Sequence, residues 1–356
     1  MGISTTSRKS RPAPLWRRAA VALTAIALAA AVALALAVGL DSYGSRPQPA
    51  APVGAPALIE RSSGDEARLV SLTRGAGRTV DLTIDSPALG RRVATRVLLP
   101  PGFDEQPERR WPTLYLLHGC CISQNSWQLW TRKTDVELIT ASLKALVVMP
   151  EGGPVSYYSN WWRSDQGTPA AWETFHLTEL RELLERELRA NGRRAVAGVS
   201  MGGTGALLYA GRNPGMFQMA ASFSGRLDTQ SDPLAVLNKV GRFAPDPKAL
   251  WGDPVTHEHI WTAHNPYRLI RSLPRGFPVY ISCGDGRPGP MDRPQAAPSG
   301  LEASFDRMAA AYIDRARDYG LHVTAHRYGP GTHSWRYWER ELATALPLLA
   351  AAIEAG

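Results

Sequence analysis

Short apolar runs that close on glycine or proline alternate with helical stretches through most of this chain, and that alternation leaves very few architectures open. The runs are RRVATRVLLPPGF, WPTLYLLHG, LKALVVMPEGG, RRAVAGVS, MFQMAASFSG, FPVYISCGDG and LHVTAHRYG. Each is strand-length and ends on turn formers, which predicts strands. Between them lie AAWETFHLTELRELLERELRANG, expected to stop as a helix at Asn191-Gly192, and the small-residue run Met201 to Gly211. LEASFDRMAAAYIDRARDYG, ending at Gly320, and a last helix from Ser334 complete the pattern. Glycine after a helical run favours the left-handed turn that ends it. Apolar strands separated by helices predict an α/β fold, a mostly parallel central sheet with helices on both faces. Such sheets gather their chemistry at the carboxyl ends of the strands.

One of those ends carries a recognisable turn. Gly198-Val199-Ser200-Met201-Gly202-Gly203 joins RRAVAGV to the helix after it. Gly-x-Ser-x-Gly between strand and helix is the nucleophile-elbow pattern, and it predicts the α/β-hydrolase fold. The sharp turn strains the serine backbone, and the flanking glycines let other backbone approach. The helix N-terminus offers N–H groups to a developing oxyanion. A tight turn with a capping serine can share the five letters. The strand before it and the helix after it make Ser200 the expected nucleophile.

A serine hydroxyl needs a base to take its proton. The chain has eight histidines. His333, in Gly331-Thr332-His333-Ser334-Trp335, follows the last predicted strand and precedes the last helix. That placement fits the order serine, acid, histidine of this fold class. His322 and His326 fall in a strand and His176 on a helix, where packing or surface roles are expected. His257, His259 and His264 have no carboxylate at ligand spacing, so neither metal nor cofactor is expected.

The acid is left open by the residues alone. Asp285, in Cys283-Gly284-Asp285-Gly286, lies just past a strand, the usual place for this carboxylate. Glu302 opens the next helix, and Asp228 is a weaker third. Backbone donors for the oxyanion are expected from Met201, after the nucleophile, and from Cys120 in the loop after TLYLL.

The N-terminus speaks to location. Arg8, Lys9, Arg11, Arg17 and Arg18 precede an apolar run from Ala19 to Leu40 long enough to span a bilayer as a helix. With the basic residues inside, the rest of the chain is exported, on a signal anchor or after cleavage of a signal peptide. The expected organisation is a basic tail (1–18), the apolar segment (19–40), a Pro/Ala/Gly-rich linker (41–57) and one hydrolase domain (58–356). The membrane is then a partner through residues 19–40 if they are retained. The net charge of +8 owes much to the N-terminal cluster. No concentrated basic patch remains for nucleic acid. The three cysteines, Cys120, Cys121 and Cys283, make no disulfide scaffold, since neighbours in sequence rarely bridge.

These motifs together resemble a known family. LYLLHG, Tyr157-Tyr158-Ser159-Asn160-Trp161-Trp162, AWETFHLTEL, GVSMGG, LWGD, His264-Asn265-Pro266, Cys283-Gly284-Asp285-Gly286 and Gly331 to Trp338 occur in family order. The chain resembles the esterase-D-type α/β-hydrolases, and among them the mycobacterial mycolyltransferases, from about Leu69 to Ile353. The resemblance implies a Ser-Glu-His triad. Leu301-Glu302 matches the family's Leu-Glu pair, which favours Glu302 as the acid. It also implies oxyanion donors at Cys120 and Met201, and a structural thiol at Cys283. It further implies exported acyl transfer onto cell-envelope sugars. The family's aspartate and arginine on the oxyanion loop are His118 and Cys121 here. Trehalose specificity is therefore not implied.

The expected reaction is attack of Ser200 on an acyl ester, with His333 as base and then acid. Water, or a sugar or other alcohol, accepts the acyl group from the enzyme. A strict carboxylesterase and a catalytically inactive envelope-binding protein are the alternatives. His118, Trp161, Trp162 and Trp335 are possible substrate contacts. Trp127, Trp130 and Trp338 lie on or beside the same loops, where core packing competes with sugar or acyl binding.

Overall fold

The computed structural model describes residues 66–122, 124–163 and 171–354. The chain divides into two units, Met1–Pro52 and Val53–Gly356. The first lies outside the described residues, and the second contains all of them.

The expected α/β-hydrolase sheet is present and has nine strands. They are β1 (Arg68–Arg74), β2 (Thr79–Ser86), β3 (Arg91–Leu98), β4 (Trp111–Leu117), β5 (Leu146–Pro150), β6 (Ala190–Val199), β7 (Met219–Phe223), β8 (Pro278–Cys283) and β9 (His322–Arg327). They lie in the order β1-β2-β3-β5-β4-β6-β7-β8-β9. β1, β2, β3 and β5 pair antiparallel, and from β5 through β9 every pairing is parallel.

The central parallel strands β4, β5, β7 and β8 and the second half of β6 are buried because both faces are covered, while the edge strand β9 is largely open to solvent. Tyr115 and Leu117 of β4 join one core, and Leu114 and Leu116 join the other. Helices cover the sheet on both sides, among them the stretch Trp172–Glu187, which buries Phe175, Leu180, Leu183 and Leu184. On the first side lie α1 (Met201–Arg212), through Leu207, and α3 (Gly300–Tyr319), through Phe305, Tyr312 and Ile313. The short α2 (Pro233–Val240) adds Val236 and Val240 there. On the opposite side α4 (Trp335–Glu354) packs Trp338, Leu342, Ala345, Leu349 and Ile353, one stripe at helical spacing. Truncating a buried leucine such as Leu342 to alanine would cost about 2–5 kcal/mol.

One helix boundary differs from the expected one. The helix expected to stop at Asn191-Gly192 ends at Glu187, and Ala190 already belongs to β6. Arg189 makes the left-handed turn, with φ 55°. Its guanidinium stacks on Phe103 and donates to Phe103 O and Gln106 O. Its carbonyl accepts from Trp111 N at 2.8 Å. Tertiary contacts thus hold a non-glycine residue where sequence rules favour glycine.

The expected membrane span is corrected. Among the described residues no helix is long and apolar enough to cross a membrane. The run Ala19–Leu40, on which the span and the membrane partner both rested, lies outside the described residues.

Candidate active site

Ser200 stands at the junction of β6 and α1 with φ 55° and ψ −117°. That region is costly for a non-glycine residue and needs surrounding structure to impose it. The neighbouring glycines show how closely the backbone is pressed. A Cβ on Gly198 would lie 2.2 Å from Gly202 O, and one on Gly202 would lie 2.4 Å from Leu117 O. Ser200 N donates to Phe223 O on β7 at 2.9 Å. The side chain is only 8% exposed.

His333 arrives from the loop between β9 and α4. Its Nε2 lies 2.9 Å from Ser200 Oγ, and its Nδ1 lies 2.5 Å from Glu302 Oε2. Nδ1 therefore carries the proton shared with the carboxylate, and Nε2 accepts from the serine hydroxyl. The ring is flanked edge-on by Phe305 and Trp338, with centroids 5.5 Å and 4.8 Å away. Asp292 holds the loop. It accepts from Thr332 N and Thr332 Oγ1, and from Tyr337 OH at 2.9 Å. Asp292 was not singled out in the sequence. It lies six residues past Cys283-Gly284-Asp285-Gly286, and no local pattern marks it.

Glu302 sits in the first turn of α3, whose N-cap Ser299 accepts from Glu302 N. It is wholly buried. Its Oε1 accepts from Ser224 Oγ at 2.6 Å, Gly284 N at 2.9 Å and Cys283 Sγ at 3.2 Å. Burial pushes this carboxyl up. The His333 hydrogen bond and charge, the Ser224 hydroxyl and the Gly284 N–H outweigh burial and hold it below the ordinary carboxylate range. Burial, then the Glu302 charge, keep the Cys283 thiol well above its usual value, so it remains a donor. Ser224, also missed in the sequence, has φ 51° and accepts in turn from Trp338 Nε1 at 3.0 Å.

The alternative acids are elsewhere. Asp285 is held by Arg287, through its backbone N at 2.9 Å and its guanidinium at 2.8 and 2.6 Å. Asp228 accepts from Gln230 N, Ser231 N and Asn265 Nδ2.

The loop after β4 lies against the nucleophile. A Cβ on Gly119 would stand 3.3 Å from the Ser200 Cβ. Met201 opens α1, so its N–H is one of those a helix leaves without an internal acceptor. Cys120 is bonded to Cys121, against the expectation for adjacent cysteines. Cys121 has φ 76°, and its N donates to Pro154 O at 2.7 Å. That contact ties the loop down one residue past the expected donor.

His118, expected as a possible substrate contact, is packed against backbone. It is 1% exposed. Its Nε2 accepts from Gly152 N at 2.9 Å, so its Nδ1 donates to Gly119 O at 2.7 Å. Burial lowers its pKa and keeps it neutral. Both nitrogens are spent on backbone, and the ring pins the loop that carries Cys120. Nearby Glu151 accepts from Ser126 Oγ, Ser126 N and Gly153 N. With no ring nitrogen of His118 free for Ser126, this second Ser/His/Glu grouping has no base for its serine.

The tryptophans divide between packing and exposure. Trp335 packs edge-on against Trp130 and Trp338. Trp161 donates to Ser156 O at 3.3 Å. Trp162 is 41% exposed, against His257 and Arg163. His176 is fully buried between Tyr209 OH and Glu151 O. His264 stacks on Trp251, its Nδ1 bonded to Ile260 O. Among the described residues no group of three or more His, Cys, Asp or Glu is placed to hold a metal ion.

Residues 86–349 match the family described as putative esterase. Over 279 residues the chain is 29% identical to the diacylglycerol acyltransferase/mycolyltransferase Ag85B of Mycolicibacterium smegmatis, covering 75% of this chain and 82% of that protein. Over 243 residues it is 36% identical to esterase Rv1288 of Mycobacterium tuberculosis, covering 64% of this chain and 50% of that protein. It thus spans only half the length of that relative. The crystal structure of Mycobacterium tuberculosis MPT51 (FbpC1) superposes with a TM-score of 0.61 at 23% identity, over 75% of this chain and 96% of that one. At that identity the likeness concerns the fold.

Proposed function

This chain belongs to the putative esterase family, as a serine hydrolase related to the mycobacterial mycolyltransferases, and from that premise we propose that it is an exported carboxylic-ester hydrolase acting through an acyl-enzyme on Ser200. The observation that carries the residue assignment is the relay Ser200 Oγ, His333, Glu302, with its 2.9 and 2.5 Å separations. His333 takes the serine proton as Oγ attacks the ester carbonyl. Glu302 holds the imidazole in the right tautomer and stabilises its charged form. The N–H groups of Met201 and Cys120 receive the oxyanion. His333 then protonates the leaving alcohol, and the same steps in reverse let an acceptor release the acyl group.

Water is the acceptor we favour. The oxyanion loop presents a buried, backbone-bound His118 and a disulfide at Cys120–Cys121. Neither provides a charged group to hold a sugar hydroxyl. Acyl transfer to an alcohol is the second reading, supported by the name of the Ag85B relative. Export is supported by the basic residues and the apolar run that precede the linker.

The test is turnover of a short p-nitrophenyl ester with and without trehalose, Ser200→Ala as control, and every acyl product identified by mass. Free acid alone, with turnover indifferent to sugar, is expected. Acylated sugar formed only by the wild type would establish the transferase instead. No turnover and no Ser200 adduct with a phosphonate would end the acyl-enzyme reading.

A further inference from the structure

Two residues past Ser224, on the same loop, Arg226 turns its guanidinium inward and is 7% exposed. Its Cζ lies 5.2 Å from the centroid of the Phe305 ring, and Phe305 is the ring that flanks His333. Its backbone N donates to Thr204 Oγ1, and Thr204 Oγ1 donates to its carbonyl, both at 3.0 Å. Thr204 is in the first turn of α1, and Thr204 N donates to Ser200 O. One aromatic ring therefore stands between this guanidinium and the imidazole of the relay.

No carboxylate answers the charge. Among the described residues Arg226 has no ion pair, and its buried Nη1 has no hydrogen-bond partner. The Phe305 face attracts the cation, but the N–H bonds lie in the guanidinium plane and that contact does not satisfy them. The Tyr157 hydroxyl is a hydrogen-bond partner of the guanidinium, a neutral one that leaves both its charge and its Nη1 unanswered. Burial pushes the tyrosine pKa up, and Arg226 pulls it back. Lys239 on α2 reports the same excess. Burial, then the positive charges of Arg242 and Arg226, hold it below the ordinary lysine range. A buried guanidinium with no carboxylate partner and one unsatisfied nitrogen is costly, and retaining it is explained when an anionic ligand completes it.

We propose that Arg226 recognises an anionic oxygen group, a carboxylate in the simplest case, carried by the ester that Ser200 attacks. The planar fork of the guanidinium matches a carboxylate in a way a lysine does not. This rests on the esterase reading above and names the class of ester the site prefers.

The probes are matched pairs of esters. The half-ester of glutaric acid with 4-nitrophenol carries a carboxylate on the acyl side and is compared with 4-nitrophenyl butyrate. Butyrate esterified to 4-hydroxybenzoate carries it on the alcohol side and is compared with phenyl butyrate. Wild-type kcat/KM should favour one anionic member over its neutral partner by about ten- to a hundredfold, the worth of a charge-assisted hydrogen bond. The pair that responds shows which side of the ester faces Arg226. Arg226→Met should erase the ratio, and Arg226→Lys should keep part of it. If the wild type shows no preference in either pair, the proposal is overturned without any variant. A preference that survives Arg226→Met overturns it equally. Turnover of the neutral esters alone keeps the esterase reading while this one fails. No turnover of any ester ends both.

Discussion

Ser224 donates its hydroxyl to Glu302 at 2.6 Å while accepting from Trp338 Nε1 at 3.0 Å, so the carboxylate beside His333 is held from behind by a residue just past β7. Ser224→Ala removes a donor that favours the charged carboxylate. We expect kcat/KM to fall by about tenfold, in line with a hydrogen bond to a charged group. The acid limb of the pH–rate profile should also move upward, because Glu302 loses part of what holds its pKa down. A lower rate with an unmoved acid limb would reduce Ser224 to packing.

Ser200→Ala and Glu302→Gln test the relay itself. Removing the nucleophile should lower kcat by about 10⁶, and the neutral amide at Glu302 by about 10⁴, the scale set by comparable triads. Asp285→Asn should change little, since that carboxylate is committed to Arg287. Near-normal activity in Glu302→Gln, with Asp285→Asn inactive, would move the acid back to Asp285.

The depressed pKa of Glu302 has a consequence for stability. A carboxyl held below its unfolded value of 4.5 contributes stability that is fully present above that pH and is lost as pH falls through the folded value. Urea midpoints of wild type and Glu302→Gln, taken from neutral pH downward, should therefore differ most at neutrality, begin to approach one another near 4.5 and meet only below the folded value. A gap independent of pH would show that the ionised carboxylate is not what the fold holds.

Two glycines on β6 and α1 should behave in opposite ways. Gly202→Ala places a Cβ 2.4 Å from Leu117 O, backbone that cannot yield, while Gly192→Ala meets nothing within 4 Å. The first should cost more than about 3 kcal/mol or prevent folding, and the second should stay within about 0.5 kcal/mol. Chemical denaturation measures both. A well-folded, active Gly202→Ala would contradict the close packing of the elbow against β4.

The cysteines can be assigned by labelling. With Cys120 bonded to Cys121 and Cys283 free but buried, alkylation of the unfolded, unreduced protein should modify Cys283 alone. Modification of Cys120 or Cys121 without prior reduction would remove the bond from the oxyanion loop.

Much of this site was legible because its physics is local. The elbow needs glycines within two or three residues of Ser200, so a short stretch carries the whole signal. The apolar runs of the central strands were legible because strands covered on both faces have nowhere to place a polar residue, and β3 showed instead the alternation of a strand open on one face. β1 and β2 were not. β1 is exposed along nearly all its length and held mainly by its pairing with β2, so no apolar run marks it. The helix expected to reach Gly192 was overruled by contacts to Phe103 and Trp111, far away in the chain.

The sequence by itself pointed to Ser200, to His333 and to the order of elements from β3 onward, since each signal rests on residues adjacent in the chain. Residue types alone left open Asp285 and Glu302, which lie in one connection and both suit an acid, and only the family resemblance favoured Glu302. The tertiary structure sets the two apart. The first turn of α3 carries Glu302 to the donors at the ends of β7 and β8, while Asp285 leaves for Arg287. The contacts of Ser224, Asp292 and Arg226 arise the same way. They come from which loops the strand order brings together, and a contact between distant segments leaves no periodicity in either one.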